Sequence, residues 1–325
     1  MTEEATDILT AKRLYKAYDL KKRPRDYQVY NLSLNLKQSE ILGLVGESGS
    51  GKSTLGKMLL MLEKPTKGKI IFEGEDISKY NYNKMRMLRN RIQMVFQGTA
   101  NSFNPYLTVQ NALLEPLNNF GVGEDEDENV ERIERMLKRV GLGPEFMSRY
   151  PSEMSGGQLQ RVGIARGLIL NPRFVVCDEP TSSIDQAVKG KILRLLKRLR
   201  NELGSTYLFI SHDLAAVKAV CNRVAVMYLG NLVEVLPSSD AQPLHPYTLA
   251  LNAASLSTDP RKKTKKKVLF KEGEEMVISR QGCIFQNRCL FSFPQCFTER
   301  PRLIDRGGEH FVSCHLKEIP DYENI

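Results

Sequence analysis

The chain of 325 residues is 41% hydrophobic and 26% charged, enough apolar material for a sizeable core and a charge load that excludes a disordered polyelectrolyte. Lys and Arg outnumber Asp and Glu by 47 to 38, a net charge of +9, which suits nucleic acid, an anionic membrane surface or phosphate ligands without choosing among them. No apolar run approaches the roughly 18–20 residues of a bilayer span, and the opening MTEEATDILT has no apolar signal core, so the expectation is a cytoplasmic protein that reaches a membrane only by docking on something else.

From Leu32 to about Leu236, short apolar runs alternate with helical patterns. Glu40–Val45 reads as a strand ending at Gly46, and Lys52–Leu62 as the helix that follows. Lys69–Phe72, Ile92–Phe96, Phe174–Cys177, Thr206–Ile210 and Val224–Tyr228 read as further strands, most of them buried. Strands separated by helices predict an α/β fold with a parallel sheet. Between Pro105 and Pro172 the helical period dominates, with Ile133, Met136, Leu137 and Val140 on one face, so a helical subdomain over about residues 100–172 is expected within the core. The acidic run Glu124–Glu128, ahead of that apolar face, reads as a solvated loop or a helix start.

Composition breaks after Leu256. Seven basic residues, Arg261, Lys262, Lys263, Lys265, Lys266, Lys267 and Lys271, mark a solvated linker; contact with anionic lipid would add about 1 kcal/mol per basic residue. The reading is therefore one large domain over residues 8–256 and a small C-terminal domain over 257–325. Of six cysteines, Cys177 and Cys221 lie in apolar segments, while Cys283, Cys289, Cys296 and Cys314 crowd the C-terminal region. In a reducing compartment such a group points to metal rather than to disulfides. The separations of five, six and seventeen intervening residues lack the paired spacing of common zinc fingers, and iron–sulfur, Zn²⁺ and free thiols all remain open at this point.

The segment Gly46-Glu47-Ser48-Gly49-Ser50-Gly51-Lys52-Ser53, with Thr54 next, fits the phosphate-binding loop pattern between a strand and a helix. Its glycines let backbone N–H groups face phosphate oxygens and the helix N-terminus adds partial positive charge. Lys52 would hold the β- and γ-phosphates and Ser53 would bind Mg²⁺. Phe174–Glu179 is a buried run ending in two acids; beside a phosphate loop, Asp178 would support Mg²⁺ and Glu179 would orient and deprotonate water. Ser155-Gly156-Gly157-Gln158 opens a helical pattern over Leu159–Leu170. A plain helix cap accounts for Ser155, but a second anion cradle makes sense if it serves a nucleotide on a partner subunit.

This combination resembles the ABC ATPase family. GESGSGKST at 46–54 resembles its Walker A loop, Gln97 the Q-loop glutamine, and MSGGQ at 154–158 the signature motif, with Met154 where Leu is usual. VVCDEP at 175–180 resembles Walker B with Glu179 as the catalytic acid, Ser183-Ile184-Asp185 the D-loop, and His212 the switch histidine. Tyr18 stands where the family stacks an aromatic ring on adenine. Two departures are Ser39 where the family has Gly, and Gly98-Thr99 where close relatives have Asp-Pro.

The resemblance implies two ATPase subunits packed head to tail around two ATP molecules. Each site would take Lys52, Ser53, Gln97, Asp178, Glu179 and His212 from one subunit and Ser155 and Gly157 from the other. His245-Pro246-Tyr247-Thr248, Ser102-Phe103-Asn104-Pro105, Glu115-Pro116-Leu117 and Gly282–Cys289, with the later Cys296, Pro301 and Cys314, resemble the oligopeptide/dipeptide importer subfamily. That implies ATP-driven uptake of peptides or another small solute at the cytoplasmic face of the membrane. The partners would be a second ATPase subunit (a copy or a paralogue), two permease subunits, an extracytoplasmic solute-binding protein indirectly, and no nucleic acid. It also puts a [4Fe–4S] cluster on Cys283, Cys289, Cys296 and Cys314 ahead of Zn²⁺. The alternative is a soluble ABC ATPase in a nucleic-acid or multienzyme complex.

Overall fold

The computed structural model describes residues 6–19, 27–98, 102–123, 125–182, 184–255 and 281–319. Ser183, Thr99, Glu124 and the basic stretch 257–271 lie outside the described residues. In chain order the elements are strands β1 (Asp7–Lys16), β2 (Val29–Lys37) and β3 (Ile41–Val45) and helix α1 (Lys52–Leu59), then β4 (Lys67–Phe72), β5 (Glu75–Asp76), α2 (Tyr82–Leu88) and β6 (Ile92–Val95). Helices α3 (Val109–Phe120), α4 (Glu126–Arg139) and α5 (Gly156–Leu168) follow, then β7 (Phe174–Asp178), α6 (Gln186–Leu203), β8 (Thr206–Ile210) and α7 (Leu214–Val220). The chain continues through β9 (Arg223–Tyr228), β10 (Asn231–Leu236), α8 (Pro246–Ser255), α9 (Pro294–Thr298), β11 (Ile304–Asp305) and β12 (Phe311–Val312). Two compact units divide it: Met1–Leu9, Asn35–Ile41 and Ile71–Ile210 make one, and Thr10–Leu34, Leu42–Ile70 and Ser211–Ile325 the other.

In the first unit β6, β7 and β8 run parallel, Ile92 opposite Phe174 and Asp178 opposite Ile210. Every residue of β7 and β8 is buried, which is why both read as continuous apolar runs rather than alternating ones. Helices α3, α4 and α5 pack on one another. The acidic run is the start of α4: Asp125 caps it by accepting from the Glu128 N–H, and Glu126, Asp127 and Glu128 fill the first turn, where the helix dipole favours negative charge. Lys138 and Arg139 occupy the last turn, and Ile133, Met136 and Leu137 are buried.

Ser39 adopts φ 56, the left-handed region that explains Gly in the family. Its N–H donates to Thr206 Oγ1 at 2.8 Å, a bond that glycine would keep, and its hydroxyl donates to the Gly204 carbonyl at 3.1 Å, a bond that glycine would lose.

In the second unit β3 pairs parallel with β9, and β9 pairs antiparallel with β10. The C-terminal segment joins this array. β12 pairs with β10 through Glu234 opposite Val312, β11 pairs with β12, and the Ser313 N–H donates to the Val233 carbonyl at 2.8 Å. Residues 281–319 thus belong to the same compact unit as the loop after β3. Around β1, the Tyr15 and Lys16 carbonyls accept from the Thr66 and Gln28 N–H groups.

Candidate phosphate-binding and catalytic residues

In the second unit, the all-buried β3 delivers the chain to Gly46. A Cβ there would lie 2.1 Å from the Met227 carbonyl oxygen of β9, and one on Gly51 (φ 96) would lie 2.2 Å from the Gln28 carbonyl oxygen, so close backbone approach demands glycine at both. Gly49, by contrast, faces open space at φ 77. The Ser50 carbonyl accepts from the Gly230 N–H at 3.0 Å, tying the loop to the β9–β10 turn. Helix α1 starts after Gly51 with no side-chain cap, which leaves its N-terminus suited to an anion. Lys52 is buried, and its Nζ donates to the Gly46 and Glu47 carbonyls at 2.9 and 2.8 Å and lies 3.4 Å from Ser50 Oγ. Ser48 is exposed; Ser53 and Thr54 are half-buried.

Tyr18 is 62% exposed; its hydroxyl donates to Glu63 Oε2 at 2.7 Å and lies 3.3 Å from Thr54 Oγ1, which sets the ring beside the first turn of α1, and the Lys16 ammonium lies over the ring, 5.1 Å from its centroid. His212 is exposed and follows Ser211, whose N–H donates to the Leu44 carbonyl of β3. Asp213 then caps α7 by accepting from the Ala215 and Ala216 N–H groups.

In the first unit, buried Asp178 ends β7 and Glu179 follows at φ 44, left-handed for a non-glycine residue. The Glu179 N–H donates to the Ile210 carbonyl at 3.0 Å, and both the N–H and the hydroxyl of Ser182 donate to the Glu179 carbonyl. These bonds hold the strained turn. Gln97 Nε2 donates to Glu179 Oε2 at 3.3 Å, so the structure brings this pair together across 82 positions of sequence. Asp185 precedes α6 without a side-chain cap. Ser155 caps α5 in a reciprocal box: the Gln158 N–H donates to Ser155 Oγ at 3.3 Å, and the Ser155 N–H donates to Gln158 Oε1 at 2.9 Å. Ser155 and Gly156 are exposed, with nothing within 4 Å of a Cβ on Gly156, while Gly157 would press on Val188.

The four C-terminal cysteines are free thiols, three of them buried. Burial above all pushes Cys283 up to about 11 and Cys289 up to about 12; the Phe285 and Phe291 backbones oppose this, and neighbouring cysteine sulfurs reinforce it. Cys314 is raised as well, again first by burial. Among the described residues no three His, Cys, Asp or Glu side chains form a group that could hold a metal ion, so the expected cluster on Cys283, Cys289, Cys296 and Cys314 draws no support from this arrangement. Sequence reading also missed a contact that the structure supplies: the Glu47 carboxylate of the loop after β3 is gripped by Arg288, 241 positions away, which no local pattern signals.

Residues 29–182 match the ABC transporter family, and residues 218–296 match the family described as oligopeptide/dipeptide transporter, C-terminal region. The oligopeptide transport ATP-binding protein AppF of Bacillus subtilis is 43% identical over 293 residues, 89% of this chain and 89% of AppF. The oligopeptide transport ATP-binding protein OppF of Salmonella typhimurium is 40% identical over 296 residues, 90% of this chain and 88% of OppF. Among solved structures, the dimeric post-hydrolysis state of the ATP-binding cassette MJ0796 with ADP and Pi overlays with a TM-score of 0.64 at 29% identity, covering 72% of this chain and all of that one (100%).

Proposed function

The chain belongs to the ABC transporter family of ATP-binding proteins, and from that premise we propose that it hydrolyses ATP to drive uptake of peptides, as the subunit of an importer that AppF and OppF are named for. The observation that carries the reading is the loop from Gly46 to Thr54. It combines glycines forced by backbone contact, a helix N-terminus without a side-chain cap, and a buried lysine whose ammonium donates to the Gly46 and Glu47 carbonyls and lies 3.4 Å from Ser50 Oγ.

ATP with Mg²⁺ would supply the phosphoanhydride and the charge that the protein is built to meet. Lys52 would turn from the Gly46 and Glu47 carbonyls to the β- and γ-phosphates, Ser53, Gln97 and Asp178 would hold the metal, and Tyr18 would offer its ring to adenine. Glu179 would accept the proton of the attacking water, oriented with help from Gln97 and His212. Ser155, Gly156, Gly157 and Gln158, with Asp185, would serve the nucleotide of a second ATPase subunit; the exposure of Ser155, Gly156 and Asp185 in this chain supports that reading.

No helix among the described residues is long and apolar enough to cross a membrane, so the membrane path would belong to two permease subunits, with this chain docked at the cytoplasmic face. The finer expectation of a [4Fe–4S] cluster, or Zn²⁺, on Cys283, Cys289, Cys296 and Cys314 rests on the cysteine count and the resemblance. It carries no step of this cycle, and iron, sulfide and zinc analysis after anaerobic purification decides it. The soluble alternative finds no specific observation in its favour. Affinity purification of this chain from detergent-solubilised membranes should bring down hydrophobic permease partners and a peptide-stimulated ATPase. Recovery only with soluble or nucleic-acid complexes would overturn the transport reading.

A further inference from the structure

We infer that the C-terminal segment positions the phosphate-binding loop for nucleotide, through Arg288 on the Glu47 carboxylate and Tyr247 on the Glu47 N–H. This rests on the nucleotide-binding reading of the loop and names residues outside its motif. Arg288 meets Glu47 with both forks: Nη1 lies 2.9 Å from Oε2 and Nη2 lies 3.1 Å from Oε1. Such two-point, charge-assisted pairing fixes direction as well as distance. The Glu47 N–H donates to the Tyr247 hydroxyl at 2.9 Å.

Both anchors are themselves immobilised. Tyr247 is 1% exposed; its ring centroid lies 4.6 Å from that of Tyr228 and 5.4 Å from that of Phe285. The Arg288 guanidinium lies 5.9 Å from the ring centroids of both Tyr228 and Phe285. Burial disfavours its charge, yet the Glu47 carboxylate and the Tyr228 hydroxyl hold it protonated, above the ordinary arginine range.

The reason such anchors matter is Lys52. Its ammonium now donates to the Gly46 and Glu47 carbonyls, so it braces the loop from inside. Moving that ammonium to a phosphate removes the brace at the moment the loop must keep its shape. The Glu47 N–H and carboxylate, held by Tyr247 and Arg288, do not depend on Lys52 and remain in place. Arg288 and Tyr247 are therefore positioning residues, which act on nucleotide through the loop.

The test is Mg-ATP affinity of the full chain, measured on Arg288→Met, Glu47→Gln, the double variant and Tyr247→Phe, with amide exchange of the loop followed in parallel. Arg288→Met keeps the apolar stem over the rings and removes the fork. It and Glu47→Gln should each weaken Mg-ATP binding about 5–10-fold, and the double variant should be no weaker than either single one, since both remove one interaction. Tyr247→Phe should speed exchange at the Glu47 N–H and weaken binding by a smaller factor. Arg288→Lys should restore part of the affinity. A merely structural contact would lower thermal stability while leaving the affinity of the folded chain unchanged, and that result would overturn the inference. Additive losses in the double variant would overturn the pairing. Should Arg288→Met fail to fold, Glu47→Gln, on the more exposed partner, still decides. A parent chain that binds no Mg-ATP would instead sink the nucleotide-binding reading itself.

Discussion

Gln97 Nε2 donates to Glu179 Oε2 at 3.3 Å, joining a residue two positions past β6 to the residue just past β7 in one parallel array. A glutamine amide that bonds the acid from one side holds its direction without neutralising it. Glu179→Gln should therefore cut ATP turnover by about 10²–10⁴-fold and leave Mg-ATP affinity within a few-fold of the parent, because it removes the base and keeps the size. Single-turnover hydrolysis beside a binding isotherm checks both halves. Parental turnover would take the proton-accepting role away from Glu179.

The same residue sits at φ 44, where a side chain is strained by about 1–2 kcal/mol. Glycine relieves that strain but gives back part of the gain in chain entropy. Glu179→Gly should thus be about 0.5–1 kcal/mol more stable than the parent in urea titration while being inactive. Glu179→Gln, which keeps the strain, should match parental stability. A Gly variant that is less stable would show that the turn is held by more than the Ile210 and Ser182 contacts.

Lys52→Ala should weaken Mg-ATP binding roughly 10–100-fold, the scale of losing a charged hydrogen bond to phosphate. The loop should also loosen, since Nζ now bonds the Gly46 and Glu47 carbonyls. Isothermal titration at low salt, with amide exchange across residues 46–51, measures the two effects. Unchanged affinity would count against the loop as the phosphate site.

The core strands and this loop were legible because their signals are local. β7 and β8 are uninterrupted apolar runs, and glycine spacing announces Gly46, Gly49 and Gly51. The helix after the loop ends at Leu59 rather than Leu62, and the one after Ser155 starts at Gly156 rather than Leu159, since end residues depend on capping and not on period. β11 and β12, two residues each, carry no period at all; they exist because β10 offers a pairing edge to β12, and β12 in turn to β11. The Arg288 grip on Glu47 was illegible for the same reason: a salt bridge spanning 241 positions is a product of the fold.

Ser155→Arg should disrupt the partner's site and spare this chain's own. The Ser155–Gln158 box is exposed and lies outside the loop that would bind this chain's nucleotide, so binding by the isolated chain should stay within about 2-fold of the parent. Losing the cap should cost about 1 kcal/mol of stability. Mixed assemblies of Ser155→Arg with Glu179→Gln should distinguish arrangements: if Ser155 acts across the interface, a dimer with the two changes on different subunits keeps one working site, and a dimer with both on one subunit keeps none. The reverse pattern would place Ser155 in its own chain's site.

His245 should give the fold an acid sensitivity of its own. It is 1% exposed, and burial holds its ring neutral, lowering its pKa from 6.5 to about 4 against the opposing pull of Glu234. Its Nδ1 accepts the Tyr247 N–H at 3.1 Å, a bond that a protonated ring cannot make. The unfolded chain takes up a proton near pH 6.5 and the folded one only near pH 4, so folding releases a proton in between. Stability is therefore full above pH 6.5 and falls as pH drops towards 4, by up to about 3 kcal/mol over the window. His245→Asn keeps an acceptor for the Tyr247 N–H and removes the titration. Urea midpoints at pH 7 and pH 5 should differ less in the variant than in the parent. Glu234 and His310, 2.7 Å apart beside this site, are present in both proteins, so whatever they add is common to the comparison. Tyr247 also anchors the Glu47 N–H, so acid opening at His245 should speed amide exchange in the phosphate loop of the parent and not of the variant. Identical pH dependence in the two proteins would remove His245 as the cause.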